Sequence, residues 1–194
     1  MIIVDLNYYY HSKEDDPEKL HRKHPQTSGH FPFLAEQVEL HVVKLLNYVG
    51  QEKIGNIHYH YLKGESSKFW LPVQLHKYLK NLKPDLIIVH GFVYPLQIFL
   101  LGVQVKAKIL VQFHGGKVSR HFDLPLMKVF RNVLDGYFFT SSDLIKTYIR
   151  HGVIADEKRV YEVLEGSSYF LKKDKLQARE ALGLLNGSIF LWVG

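Results

Sequence analysis

Residues 83–91 read KPDLIIVHG, a short apolar run that follows a proline and ends in His-Gly. A second apolar run, ILVQFHGG at residues 109–116, ends in the same way. Continuous apolar runs of this length, bounded by turn residues, are typical of strands that are buried on both faces of a parallel sheet. Ligands of open α/β sheets bind at the carboxyl ends of such strands. We therefore expect His90-Gly91 and His114-Gly115-Gly116 to mark a ligand-binding edge of one sheet.

Strands and helices alternate in both directions from this pair of runs. We expect strands at residues 2–6, 57–62, 86–90, 109–114, 136–140, 160–164 and 188–193. We expect helices at residues 33–49, 66–82, 96–101, 126–134, 141–150 and 175–182. This alternation predicts an α/β fold, with a Rossmann-like, mostly parallel sheet that is covered by helices on both faces.

Two segments near the amino terminus carry different patterns. Within residues 33–49, apolar residues recur at helical spacing and Gly50 follows in the position of a C-cap, so we expect a helix there. Residues 7–30 are polar, rich in histidine, and too long for an idle connection in a compact domain. We expect a functional loop or a partly disordered one. Within it, Tyr8-Tyr9-Tyr10-His11 would either stack on a sugar or lipid acceptor or pack over the sheet edge.

The composition restricts the location and the partners of the chain. It has 194 residues, a formal net charge of +6 and no cysteine. The lack of cysteine excludes a disulfide framework and favours a cytoplasmic location, and no apolar stretch or leader resembles a membrane span or a secretory signal. A basic surface attracts anions such as a nucleotide, an anionic lipid surface or nucleic acid. Of these we expect a nucleotide or the inner face of a membrane as partner, and no nucleic acid. Lysines spread over solvated helix faces would give the same charge.

The motifs of the second half resemble those of GT-B-type retaining glycosyltransferases, in particular the large family four. Residues 83–91 are similar to the kPDvvhvHg segment of that family, residues 113–115 to tvHG, and residues 135–142 to aD.vi..S. Residues 165–170, 178–184 and 189–194 are similar to nGvd...F, r..lgl and l.vGR, respectively. The chain departs from the family at Glu165, which replaces an asparagine, and at Ser28-Gly29, where the family has a Gly-Gly pair.

The resemblance implies a domain organisation and an activity. It implies an N-terminal, acceptor-side domain of a GT-B fold at residues 1–166, followed at 167–194 by a linker helix and the first strand of a truncated donor-binding domain. The implied reaction transfers a sugar from a nucleoside diphosphate sugar to a glycan or lipid-linked acceptor, as in the synthesis of cell envelope polysaccharide. Because the donor-binding domain is missing, we expect the chain alone to be inactive and to hold no cofactor of its own.

The resemblance also points to site residues. It places His114 at the domain cleft near the transferred sugar, as a catalytic residue that orients a hydroxyl or stabilises developing charge. The alternative is a strand-end histidine that satisfies a nearby carbonyl. We expect His90 to be structural and bonded to the neighbouring loop. The expected donor or acceptor contacts are Gly115, Gly116, Lys117, Arg120, Ser28 and Gly29.

The histidines and the carboxyl-terminal strand suggest other kinds of site and function. His58 and His60 share one face of a predicted strand, but no third ligand has a characteristic spacing, so we expect no metal site. The alternative function is a non-catalytic binding or assembly module with a basic surface for a membrane or a glycan. An exposed strand at residues 189–193 would then pair with a second copy to form a homodimer. A dinucleotide-dependent oxidoreductase is disfavoured because Asn7-Tyr8-Tyr9-Tyr10 replaces the glycine fingerprint after the first strand.

Overall fold

The computed structural model describes residues 1–23, 29–67, 69–114, 123–163, 173–184, 187–190 and 192. Its strands are β1 (Ile2–His11), β2 (Glu39–Leu46), β3 (Gly50–Ile54), β4 (Ile57–Leu62), β5 (Leu86–His90), β6 (Lys108–Gln112), β7 (Gly136–Phe139) and β8 (Val160–Glu162). Its α-helices are α1 (Pro17–Lys23), α2 (Phe31–Ala35), α3 (Val73–Leu82), α4 (Pro95–Gln104), α5 (Asp123–Phe130), α6 (Ser142–Arg150) and α7 (Lys175–Ala181). Short 3₁₀ helices occupy Arg131–Val133 and Glu157–Arg159.

These strands form one eight-stranded sheet in the order β3-β4-β2-β1-β5-β6-β7-β8. The hairpin between β3 and β4 is antiparallel, and every other pairing of the described strands is parallel. Asp5 of β1 lies opposite Ile88 of β5, which in turn lies opposite Leu110 of β6. The carboxyl ends of these three strands therefore meet at one edge. The predicted Rossmann-like, mostly parallel sheet is confirmed.

A separate apolar core covers each face of the sheet. Helices α3 to α6 pack on one face, where Ile98 of α4 and Tyr148 of α6 belong to a cluster that also contains Val4. Helices α1 and α2 pack on the other face, where Phe31 of α2 belongs to a cluster that contains Ile3. Successive residues of β1 serve different cores because side chains alternate between the faces of a strand. The prediction of helices on both faces is thus confirmed.

The helix predicted at residues 33–49 is wrong. Helix α2 reaches only Ala35, and the following apolar run is strand β2, which lies between β1 and β4. The apolar side chains of β2 divide between the two cores, with Leu40, Val42 and Leu46 in one and Val43 and Leu45 in the other. A strand that is buried on both faces is apolar almost throughout. Some of its apolar residues therefore also fall at helical spacing, and this explains the wrong prediction.

The segments on either side of this strand also differ from the prediction. Strand β1 continues to His11 and α1 follows at Pro17, so a large part of the predicted loop at residues 7–30 is regular structure. Gly50 begins β3 instead of capping a helix. The chain turns back from β3 to β4 at Gly55, whose φ of +59° favours glycine.

The carboxyl-terminal elements are described only in part. Helix α7 lies within the helix predicted at 175–182, and the side chain of Asp174 accepts hydrogen bonds at its amino end. Residues 188–190 belong to no strand, whereas residues 191, 193 and 194 lie outside the described part of the chain. The expected domain boundary between residues 166 and 167 also lies outside it. No helix of the described residues is long and apolar enough to cross a membrane.

Two aspartates of the sequence motifs fix the starts of strands. Asp85 Oδ2 accepts a hydrogen bond from the backbone N–H of Ile2 at 2.7 Å, and Asp135 Oδ2 accepts one from Ile109 at 2.8 Å. Gly136 allows close packing of β7 on β6, because a Cβ atom there would lie 2.8 Å from Leu110 Cδ2. Sheet assembly therefore explains these motif residues without a role in chemistry.

Candidate functional site

A cleft of about 400 Å³ opens at the carboxyl ends of β1, β5 and β6. Strand β1 runs past the end of β5, and its odd-numbered side chains from Asp5 to His11 line the cleft, because strand residues two apart share a face. Leu20 of α1 and Phe31 of α2 also line it, and the strand ends contribute His90 and His114. The ligand-binding edge expected from the two His-Gly endings thus coincides with a cavity.

A continuous hydrogen-bonded chain of three side chains lies in this cleft. Asp5 Oδ2 is 2.6 Å from His90 Nε2, and His90 Nδ1 is 2.6 Å from His114 Nε2. Asp5 is 4% exposed and the His90 side chain 14% exposed, whereas His114 is exposed at the cleft. A buried carboxylate is therefore connected to a solvent-accessible imidazole through a second imidazole.

The charges around Asp5 keep this carboxylate ionised. Burial by itself would raise the pKa of Asp5, but the charge and hydrogen bond of His90, with Lys44 and His30, lower it below its usual value. Lys44 Nζ lies 3.8 Å from Asp5 Oδ1, which has no hydrogen-bond partner among the described residues. Burial lowers the pKa of His30; Asp5 opposes this shift, and His90 and Lys44 reinforce it. Lys44 and Asp5 therefore form an ion pair at the floor of the cleft.

A second polar group lies near the α1 side of the cleft. His21 Nε2 is 2.8 Å from the hydroxyl of Tyr61, which donates a hydrogen bond to Glu52. Burial raises the pKa of Tyr59 to about 12, so its phenol is a neutral donor at physiological pH. Aromatic rings and imidazoles of this kind provide stacking surfaces and hydrogen bonds for a sugar ring or another flat polar ligand.

The structure brings together only some of the residues predicted for the site. His90 and His114 meet in the cleft, and the expected bond of His90 to the neighbouring loop is confirmed because His114 follows the end of β6. Gly29 is half-buried in the turn before α2 and is not among the lining residues. Five further candidates lie outside the described residues: Ser28, Gly115, Gly116, Lys117 and Arg120.

His58 and His60 lie on the face of the sheet opposite to the cleft. Their rings stack on His41 of β2 with centroid distances of 4.8 and 5.1 Å, and His41 Nδ1 is 2.8 Å from His60 Nε2. His41 Nε2 in turn lies 3.0 Å from Glu39 Oε1. Among the described residues, no group of three or more histidine or acidic side chains has the geometry to hold a metal ion.

Asp5 and Lys44 are members of the site that were not predicted from the sequence. Both are charged residues inside otherwise apolar strands, and strands β1 and β2 pair directly with Asp5 opposite Val42. A charge in such a position needs a partner, because an unpaired buried charge is costly. The two embedded charges were therefore a usable signal, but their pairing depended on recognising residues 39–46 as a strand.

Comparison with solved structures identifies the fold. The chain is similar to sucrose-phosphate synthase from Thermosynechococcus elongatus, with a TM-score of 0.56 and 14% identity, covering 95% of this chain and 52% of that chain. It is also similar to trehalose-6-phosphate synthase from E. coli bound with UDP-2-fluoro glucose, with a TM-score of 0.51 and 13% identity, covering 76% of this chain and 41% of that chain. No protein-family model and no curated protein sequence matches it.

These likenesses concern the fold. The chain has the α/β Rossmann-like fold of a GT-B glycosyltransferase domain, as the sequence motifs implied. It spans about half the length of these two chains, which are among those that it matches.

Proposed function

We propose that this chain is the acceptor-side half of a retaining glycosyltransferase that moves a sugar from a nucleoside diphosphate sugar to a glycan or lipid-linked acceptor. Residues 1–166 would form the N-terminal domain, and residues 167–194 would begin the donor-binding domain. The observation that carries the proposal is the chain of hydrogen bonds from Asp5 through His90 to His114 in the cleft at the carboxyl edge of the sheet. The glycosyltransferase fold supports it.

In the proposed reaction, residues of the cleft position the sugar and the acceptor. The anomeric carbon of the donor loses its bond to the diphosphate and forms a bond to the acceptor oxygen, while the acceptor proton passes to the leaving diphosphate. His114 holds a sugar hydroxyl in position during this exchange, and closure of the donor-binding domain over the cleft excludes water. The exposed ring of Tyr9, which lines the same cleft, offers a stacking surface for the sugar or acceptor.

The net charge of +6 supports anionic partners for the same protein. A nucleoside diphosphate sugar is one, and a peripheral contact with the inner face of a membrane would bring a lipid-linked acceptor within reach. Cell envelope polysaccharide synthesis is a process in which both would be used.

The test is an activity assay on the protein encoded by the complete reading frame that contains this chain. UDP-, GDP- and ADP-sugars are offered with and without glycan acceptors, and release of the nucleoside diphosphate is measured. We expect one donor to be turned over and His114→Ala to lower kcat/KM about 10- to 1000-fold, since a positioning group contributes this much.

The matched control is His151→Ala. His151 caps the end of α6, with Nδ1 2.8 Å from the backbone oxygen of Thr147, and does not line the cleft. We expect it to retain full activity. Turnover that is equal in the His114 variant and the wild type would remove His114 from the mechanism. Binding of a glycan or of anionic vesicles without any turnover would favour the non-catalytic module instead.

A further inference from the structure

A short segment between β4 and α3 exposes large apolar side chains to solvent. Phe69 is 72% exposed, Leu71 57% and Val73 65%, so three such side chains lie in the open within five residues. Single exposed apolar residues are common on protein surfaces, whereas a cluster of them marks a site of interaction with another surface. This segment therefore has the character of an interaction surface.

Hydrogen bonds hold the segment in a defined conformation. The backbone N–H of Trp70 donates to the backbone oxygen of Ser67 at 3.2 Å, and that of Val73 donates to Leu71 at 2.9 Å. The backbone oxygen of Trp70 accepts a hydrogen bond from Gln97 Nε2 at 2.8 Å, and Trp70 packs against the core. Trp70 thus anchors the segment, while the apolar side chains on either side of it remain in solvent.

A basic face of α3 continues this surface. Val73 is the first residue of α3, and Lys77 and Lys80 follow it at i+4 and i+7, which places all three on one face of the helix. Both lysines are exposed, whereas Leu79 of the same helix is buried in the core. Residues 66–84 contain four lysines and no aspartate or glutamate. The exposed apolar side chains are therefore bordered by positive charge that no acidic residue of the same stretch offsets.

We propose that the exposed apolar side chains of residues 69–73 and the basic face of α3 form a docking surface for an anionic lipid bilayer. The apolar side chains enter the boundary between headgroups and acyl chains, and the lysines lie at the level of the negatively charged phosphates. A symmetric contact with a second copy is disfavoured, because it would bring the lysines of the two copies together.

The docking surface lies next to the cleft. Gln97, which bonds Trp70, lies in the first two turns of α4, and Val93, just before α4, lines the cleft. Strands β4 and β5 end at the same edge of the sheet, because both are joined to it by parallel pairings through β1 and β2. A bilayer that takes up residues 69–73 would therefore lie beside the mouth of the cleft, where a lipid-linked acceptor enters. This last step rests on the proposed function, whereas the docking itself rests on the exposed side chains and their charge.

Sedimentation with lipid vesicles tests the docking of this chain directly. We expect vesicles of mixed phosphatidylcholine and phosphatidylglycerol to bind it at least about tenfold more strongly than vesicles of phosphatidylcholine alone. Added sodium chloride should weaken this binding, because salt screens the attraction of lysines to anionic lipid. Absence of binding to the mixed vesicles, or equal binding to both kinds, overturns the proposal whether or not any variant folds.

One double variant tests the apolar part of the docking surface. Phe69→Ser with Leu71→Ser should lower the partition coefficient on mixed vesicles about 10- to 100-fold, since burial of one such side chain contributes roughly an order of magnitude. The matched control is Phe33→Ser, because Phe33 is 70% exposed in α2, which packs on the other face of the sheet. An equal loss in the control would mean that any exposed phenylalanine supports binding, which contradicts a defined surface.

A second double variant tests the basic part. Lys77→Gln with Lys80→Gln should lower the partition coefficient about 5- to 30-fold. Its control, Lys106→Gln with Lys158→Gln, removes the same charge from two exposed positions just before β6 and β8, at the opposite edge of the sheet. Equal losses in the two double variants would assign the attraction to net charge and not to α3.

The complete protein distinguishes the bilayer from other occupants of the docking surface. It should bind mixed vesicles, and the serine double variant should weaken this binding by the same factor. Binding by this chain and not by the complete protein would show that the rest of the protein covers the surface, which overturns the proposal. A dimer in light scattering that disappears in the serine double variant would assign the surface to a second copy, with the same consequence.

The activity assay separates this proposal from the proposed function. Turnover of a nucleotide sugar by a protein that binds no vesicles would remove the docking surface and leave the proposed function intact. Vesicle binding that depends on residues 69–73, without turnover of any donor, would do the reverse.

Discussion

Asp5 Oδ2 lies 2.6 Å from His90 Nε2, although 85 positions separate the two residues in the chain. Their contact follows from the pairing of β1 with β5, in which Asp5 lies opposite Ile88 and His90 is two residues further along the same face. The site is therefore built into the centre of the sheet. The geometry of the Asp5–His90 contact depends on strand register, whereas His114 lies beyond the end of β6.

We expect Asp5→Ala to destabilise the fold. The substitution leaves the Nε2–H of His90 without an acceptor and Lys44 without its counter-ion in a largely buried place, and such a loss costs about 1–3 kcal/mol. The free energy of unfolding is measured by urea titration at neutral pH. Asp143→Ala is the control, because Asp143 is 85% exposed and its pair with Lys146 should contribute little. Equal stability of both variants would contradict a buried pair at Asp5.

The free energy of unfolding should fall when the pH is lowered and the cluster of His41, His58 and His60, on the face opposite to the cleft, takes up protons. Burial, with the charges of His41 and His58, lowers the pKa of His60 to about 4. Its Nδ1 is buried and has no hydrogen-bond partner among the described residues, so protonation there is not compensated. The unfolded chain takes up this proton near pH 6.5, and between that pH and about 4 the unfolded state binds more protons than the folded state.

The sign follows from this difference in bound protons. The contribution of His60 to the free energy of unfolding is complete above pH 6.5. It is lost as the pH falls below this value, by up to about 1.4 kcal/mol per pH unit. In His60→Gln the free energy of unfolding should depend less steeply on pH in this window than it does in the wild type. Parallel curves for the wild type and His60→Gln would show that another group causes the loss.

Gly102 should tolerate no side chain while Val133 remains. A Cβ atom at Gly102 in α4 would lie 2.4 Å from the Cβ of Val133, and a branched side chain attached at that atom cannot move aside. Although alanine favours helices over glycine, we expect Gly102→Ala to lower stability by about 1–3 kcal/mol through overpacking. The double variant with Val133→Ala should recover part of this loss. If urea unfolding shows that Gly102→Ala is more stable than the wild type, α4 and the 3₁₀ helix that contains Val133 can move apart at this point.

The strands around the two His-Gly endings were predictable because their signal is local. Strands β5 and β6 are short apolar runs that end in His-Gly and His-Gly-Gly, and such runs are typical of buried parallel strands. The prediction was wrong at strand β2 because the signal there is ambiguous. It contains Leu and Val at both periodicities, so the pattern alone cannot distinguish a helix from a strand that is covered on both faces.

The two strand-end histidines of the candidate site could be predicted from the sequence, but its carboxylate, Asp5, could not. His90 and His114 follow apolar runs, and parallel strands bring such positions to one edge. Asp5 precedes the end of its strand, and its role depends on the register between β1 and β5 and on the extension of β1 beyond Leu6. Neither is visible in the spacing of residues along one strand.

By itself, the sequence determined the fold class, the order of most strands and helices, and the edge of the sheet where polar residues gather. These depend on hydrophobic periodicity and turn chemistry, which act between near neighbours in the chain. Only the tertiary structure decided that β2 is a strand, that Asp5 and Lys44 meet beneath the cleft, and that His114 is joined to a buried carboxylate. These contacts depend on which strands pair and in which register, a choice that is made by packing across the whole sheet.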